Sequence, residues 1–253
     1  SLSPYLLLLV YIFIHSRGSE HLKKITMTNP KQLTFPWEKT FKSSFSGFFC
    51  DDKNANLVNN LRLIEGDDIF IYGQSNIGKT YLLQALASLY SDLNKSPLYI
   101  PLSDIKNYET TIIDGAHEAD LVCVDSIEEI AGIMDWEVAL FNLINNASLT
   151  NCRLVFSASI NIGTLNFSLP DFDSRIRKFN SYEMFSVQDQ NLNLALMHIA
   201  NFRSINLGEK EANYLLSYTK RNLSDLVGII ERLDSLSMEL KRKITIPLIK
   251  DYL

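Results

Sequence analysis

The 253-residue chain has no surplus of positive charge: 24 lysines and arginines against 29 aspartates and glutamates leave a net charge of −5. A protein that coats nucleic acid by itself relies on a cationic surface, so contact with DNA is expected through a local patch or a partner. Cysteine is scarce as well. Cys50, Cys123 and Cys152 are widely spaced, odd in number and without the paired spacing of a zinc site, which points to a reducing compartment. The four histidines show no ligand spacing. Long apolar runs are also lacking: Leu6 to Ile14 is unbroken but falls short of the about 20 residues that a membrane-spanning helix needs. No positive residue precedes that run and no small-x-small cleavage pattern follows it. Met27 opens a more ordinary soluble sequence. Residues 1–26 are therefore expected to be upstream sequence or a non-native extension, with an N-terminal membrane anchor as the alternative.

What is present is an ordinary globular composition, 46% hydrophobic and 21% charged, enough for one sizeable core and a smaller satellite domain. Its most informative stretch is Gly73-Gln74-Ser75-Asn76-Ile77-Gly78-Lys79-Thr80. This matches G-x-x-x-x-G-K-[ST] between the apolar run Asp68-Ile69-Phe70-Ile71-Tyr72 and the helical pattern Tyr81 to Leu89, a buried strand feeding a helix. Glycines let successive N–H groups turn into one concavity, and the helix that starts there adds its positive dipole end. Gly73, Ser75, Asn76, Ile77, Gly78, Lys79, Thr80 and Tyr81 are the expected phosphate-binding residues. Lys79 would reach the β and γ phosphates, and the Thr80 hydroxyl would sit on Mg2+. The bland alternative is a glycine-rich turn with an exposed lysine.

The rest of the chain arranges itself around that loop. Asp51 to Ile64 reads as a short amphipathic helix. Leu98-Tyr99-Ile100, Leu121-Val122-Cys123-Val124-Asp125, Arg153 to Ser159 and Tyr182 to Val187 read as further strands of a five-stranded parallel sheet. Asp125 falls at a strand's carboxyl end, the ligand edge of α/β sheets, where it either serves the metal opposite Thr80 or caps the following turn. Ser157 and Ser159 either polarise a water or satisfy backbone groups. Trp136 to Leu149 repeats apolar residues at helical spacing. A short helix capped by Asp171 or Asp173 carries Arg175, Arg177 and Lys178. Beyond Val187 come three helical patterns, Asp189 to Phe202, Glu209 to Lys220 and Ser224 to Arg242, with no strand between them. The expected organisation is an N-terminal segment at 27–47, an α/β nucleotide-binding domain at 48–187 and an all-helical lid at 188–253. In the N-terminal segment, Gln32-Leu33-Thr34-Phe35-Pro36-Trp37 suits either a peptide that docks into a partner's groove or a hydrophobic strap.

A phosphate-loop domain followed by a helical lid is the AAA+ plan. Phe41 and Phe45, Leu121 to Glu128, Leu169-Pro170-Asp171-Phe172-Asp173-Ser174-Arg175 and Leu226 to Leu236 together resemble the DnaA-like AAA+ family, above all its short regulatory members, the Hda proteins. The resemblance covers residues 28–253. The chain stops after the lid, which is expected to leave out the initiator's helix-turn-helix domain. The resemblance implies that Gln32, Leu33, Phe35 and Pro36 bind the β sliding clamp of DNA polymerase III, so that DNA is met mainly through the clamp. It further implies that Arg175 is an arginine finger, delivered to ATP bound on DnaA so that its hydrolysis prevents re-initiation. Read from the residues alone, Arg175 could instead pair with Asp171 or Asp173.

Departures from the family pattern bear on the chain's own chemistry. Ser126 stands where an acid is usual after Asp125, Ser159 replaces a sensor aspartate, and Ser224 stands at the lid's sensor arginine, with Arg221 three residues away. These imply a bound nucleotide, ADP or else ATP, that acts as a conformational ligand, with weak or absent ATPase activity. The expected setting is the bacterial cytoplasm, at the nucleoid through the clamp, with self-association left open. The competing readings are a DnaA-like or helicase-loader-like ATPase acting directly on DNA and a small-molecule phosphate-loop kinase.

Overall fold

The computed structural model describes residues 43–253. Gln32, Leu33, Phe35 and Pro36 of the clamp-binding expectation, and the proposed extension at 1–26, lie outside the described residues. The chain runs α1 (Ala55–Leu61), β1 (Ile69–Tyr72), α2 (Lys79–Asp92), β2 (Pro97–Pro101), α3 (Leu102–Ile105), β3 (Leu121–Asp125), α4 (Met134–Thr150), β4 (Arg153–Ala158), α5 (Pro170–Ile176) and β5 (Asn180–Glu183). Four helices follow: α6 (Leu192–Phe202), α7 (Glu209–Tyr218), α8 (Leu223–Leu240) and α9 (Ile246–Tyr252).

All strand pairings are parallel, in the order β2-β3-β4-β1-β5. The most continuously apolar strands take the middle: every residue of β3 and β4 is buried. Successive side chains of a strand point to opposite faces, and the two faces carry separate cores. Phe70, Val122, Val124, Leu154 and Phe156 pack with Trp136, Leu140 and Leu143 of α4 and with Phe172 and Ile176 of α5. Ile69, Ile71, Leu121, Cys123 and Val155 pack with Leu82, Leu83 and Leu86 of α2 and with Leu57 and Leu61 of α1. Arg153 ties α1 to the sheet: its buried guanidinium donates to the carbonyls of Asn60, Leu61, Leu63 and Asp67. The stripe Leu226, Ile230 and Leu233 forms the lid core with Leu196, Ala212, Leu215 and Ile249.

Two expectations need correction. The fifth strand is Asn180–Glu183, not Tyr182 to Val187. An edge strand pairs on one side only, so its polar residues bond to β1, while Met184 after it packs into the core beside α2 and Phe185 bonds to Asn54. The lid holds a fourth helix, α9, started by Pro247 in its first turn and seated on the lid core through Ile249. No helix among the described residues is long and apolar enough to cross a membrane. Cys123 and Cys152 are buried free thiols, and burial pushes the Cys152 thiol up to about 12, leaving it inert.

Candidate nucleotide-binding site

The carboxyl end of β1 runs into the loop Gly73 to Gly78, and α2 starts from it. Only glycine fits at 73, because a Cβ there would come within 2.3 Å of the Met184 carbonyl oxygen. Gly78 adopts φ +106°, in the region that favours glycine, and caps α2 with no side chain. The first-turn N–H groups of α2 therefore open toward a cleft of about 740 Å³ between the α/β core and the lid. Ser75, Asn76, Ile77, Gly78, Lys79, Thr80 and Tyr81 line that cleft, while Gly73 lies outside its lining.

Lys79 is buried and folded over the loop, its Nζ donating to the carbonyls of Gly73 and Gln74 at 2.7 Å each. Burial lowers its pKa, while the nearby charges of Glu128 and Asp125 oppose that shift. Asp125 is buried at the end of β3 and is saturated by hydroxyls. Thr80 Oγ1 and Tyr99 Oη each donate to Oδ2 at 2.7 Å, and Ser157 Oγ donates to Oδ1. Burial and the adjacent Asp125 charge push the Tyr99 phenol far above its ordinary value, so it remains a donor. Asp125 thus serves Thr80 and does not cap the following turn. With its proton on Asp125, the Thr80 oxygen keeps lone pairs for a hard cation, so the residues present fit Mg2+ held by Thr80, with Asp125 behind it. Ser157 takes the structural role: it is fully buried and accepts from Ser126 N at 3.2 Å while donating to Asp125.

Sequence reasoning missed three residues, two that line the cleft and one that stands behind Asp125. Tyr99 comes from β2, whose parallel register beside β3 brings its hydroxyl to Asp125. Glu128 follows Ser126, which adopts φ 65°, and the turn returns its carboxylate to the cleft. There Oε1 accepts from Ser159 N at 2.9 Å, while Oε2 is buried with no hydrogen-bond partner among the described residues. The usual acid is thus missing at 126 in sequence, but an acid is present in space. Arg203, just past the end of α6, lines the lid wall and pairs with Glu231. Arg221 and Ser224 also line the cleft, and Arg221 Nη1 lies 3.6 Å from Asp189.

The N-terminal edge of the cleft is closed by residues 43–50, which run between α2 and α6. Tyr81 Oη donates to the Ser44 carbonyl at 3.1 Å, and His198 Nε2 lies 2.9 Å from the Ser46 carbonyl. The Phe48 ring stacks on Tyr81.

Arg175 lies away from these groups. It occupies the last turn of α5, exposed, with no hydrogen bond or ion pair to its guanidinium among the described residues. Asp173 instead accepts from Arg177 Nε at 2.8 Å.

With this geometry in hand, residues 189–253 match the family model described as Hda, lid domain. The chain carries an Hda-type lid. An uncharacterised protein of Haemophilus influenzae is 29% identical over 228 residues, spanning 88% of this chain and 98% of that protein. Domain III of the Thermotoga maritima replication initiation protein DnaA superposes with a TM-score of 0.70 at 18% identity, covering 83% of this chain and 96% of that one. The AMPPCP-bound DnaA of Aquifex aeolicus gives a TM-score of 0.64 at 19% identity, covering 76% of this chain and 65% of that one. At such identities the structural likeness establishes the fold alone, and the family match is confined to the lid.

Proposed function

We propose that this DnaA-like protein regulates the initiation of DNA replication by stimulating hydrolysis of ATP bound to DnaA, with Arg175 as the activating guanidinium. The observation that carries the reading is the state of Arg175: exposed on a helix anchored in the core and, among the described residues, left unpaired while its neighbour Asp173 is engaged by Arg177. An arginine supplied to another protein's γ phosphate stabilises the spread charge of the transition state, which is worth about 10³ to 10⁵ in rate for other nucleotide hydrolases.

The chain's own nucleotide, ADP or else ATP, would lie in the cleft and join core to lid, so that Arg175 is presented by a rigid body. Lys79 and the opening turn of α2 would hold its phosphates. Thr80, backed by Asp125, would hold Mg2+, which when bound neutralises phosphate charge. Gln32, Leu33, Phe35 and Pro36 would dock on the β sliding clamp, so that the protein reaches DNA through the clamp and acts in the cytoplasm at the nucleoid. The outcome for DnaA is conversion to its ADP form, which prevents re-initiation.

The test is DnaA-ATP hydrolysis reconstituted with clamp-loaded DNA, ADP and this protein. Stimulation is expected with the intact protein and is expected to fall sharply with Gln32→Ala. Hydrolysis at the DnaA-only rate with the intact protein would overturn the proposal. One observation favours a second reading, an ATPase acting on DNA in its own right: Glu128 lines the cleft with one carboxylate oxygen unpartnered among the described residues. Rapid ATP turnover without DnaA or clamp, abolished by Glu128→Gln, would select that reading.

A further inference from the structure

Glu137, in the first turn of α4, is completely buried. A carboxylate taken out of water is costly unless its oxygens are fully engaged. Here they are engaged by backbone amides: Oε1 accepts from Gly132 N at 2.7 Å and Ser168 N at 3.0 Å, and Oε2 accepts from Leu169 N at 2.6 Å. Two of the three donors are the residues immediately ahead of Pro170, where α5 begins. That helix is short and has no side-chain hydrogen bond at its own N-terminus, so Glu137 supplies from α4 the acceptor that α5 lacks. At the far end, Phe172 and Ile176 are buried in the core, and Phe167 meets Phe172 edge-on at 4.8 Å. Arg175 lies between these supports, fewer than two helical turns beyond Leu169.

We infer that Glu137 is a positioning residue for Arg175: by pinning the amides of Ser168 and Leu169 to α4, it sets the direction in which the guanidinium leaves the surface. This rests on the reading of Arg175 as the activating group. A charge-stabilising group must meet a developing charge in a fixed geometry, and a displacement of about 1 Å can cost about 100-fold in rate. Glutamine at 137 would keep the volume but turn an NH2 group toward backbone donors, leaving at least one of them unsatisfied and the start of α5 loose.

The test compares wild type, Glu137→Gln, Arg175→Ala and the double variant in stimulated DnaA-ATP hydrolysis, titrating the stimulating protein. Glu137→Gln is expected to lower the maximal stimulated rate by about 10-fold or more. The half-saturating concentration and the chain's own nucleotide affinity are expected to stay within about two-fold, a split that general loosening of the fold would not produce. The double variant is expected to fall no lower than Arg175→Ala alone, because both changes act on one group. Amide exchange at residues 168 and 169 is expected to accelerate in Glu137→Gln. If Glu137→Gln does not fold, Glu137→Asp takes its place, keeping the charge while losing reach to those amides. An undiminished maximal rate beside an inactive Arg175→Ala, or additive losses in the double variant, would overturn this inference alone. Full stimulation by Arg175→Ala would overturn the reading beneath it, and the inference with it.

Discussion

Two charged regions of this molecule are treated in opposite ways. At the head of α2 the ionic groups are closed on their surroundings: Lys79 is held by two loop carbonyls, and Asp125 by three hydroxyls. On α5 the Arg175 guanidinium stands in solvent, although acids precede it on the same helix. Burying an ion demands partners, whereas exposing one costs little, so the contrast is thermodynamically unremarkable in each half. Taken together, however, the two halves suggest a division of labour. The closed site suits a ligand that stays, and the open cation suits a charge that arrives with another molecule.

The largest expected effect separates the two regions most cleanly. Arg175→Ala should reduce stimulated hydrolysis of DnaA-bound ATP by about 10³-fold, while the chain's own nucleotide affinity, followed with a fluorescent analogue, should be unchanged. Equal losses in both measurements would dissolve the distinction. Next in size is Lys79→Ala. Removing a charge-assisted phosphate contact is expected to weaken nucleotide binding by about 2–3 kcal/mol, roughly 100-fold, as read by calorimetric titration. Retained affinity would mean that the phosphates are held elsewhere in the cleft. The smallest change sharpens the description of the closed site itself. Tyr99→Phe deletes one of the hydroxyls on Asp125 and should cost about 1 kcal/mol, roughly five-fold in Mg2+-dependent nucleotide affinity. An equal loss measured without Mg2+ would show that Tyr99 supports the loop and not the cation position.

Much of the site was legible in the chain because its contacts are local. The phosphate loop, Lys79, Thr80 and Tyr81 lie within one strand-turn-helix unit, where glycine spacing dictates backbone shape and backbone shape dictates where donors point. Asp125 was legible for a related reason, since a fully apolar run ending in an acid marks the edge of a buried parallel strand. Tyr99, Glu128 and Glu137 were not legible. Tyr99 depends on β2 lying beside β3, and Glu128 on a positive φ at a serine. Glu137 lies among inward-facing residues of a helix whose apolar stripe suggests nothing but packing; two of its three partners are about thirty residues further along the chain.

The same division runs through the fold. Apolar patterning alone determined that a phosphate-loop sheet would be followed by a helical lid, because burying those stripes leaves few arrangements open. The tertiary structure alone decided that the edge strand is the polar Asn180–Glu183, that a fourth helix completes the lid, and that Asp173 goes to Arg177 while the Arg175 guanidinium has no partner among the described residues. Those outcomes turn on which neighbours compete for a group. Competition between residues distant in sequence is settled only when the chain has packed.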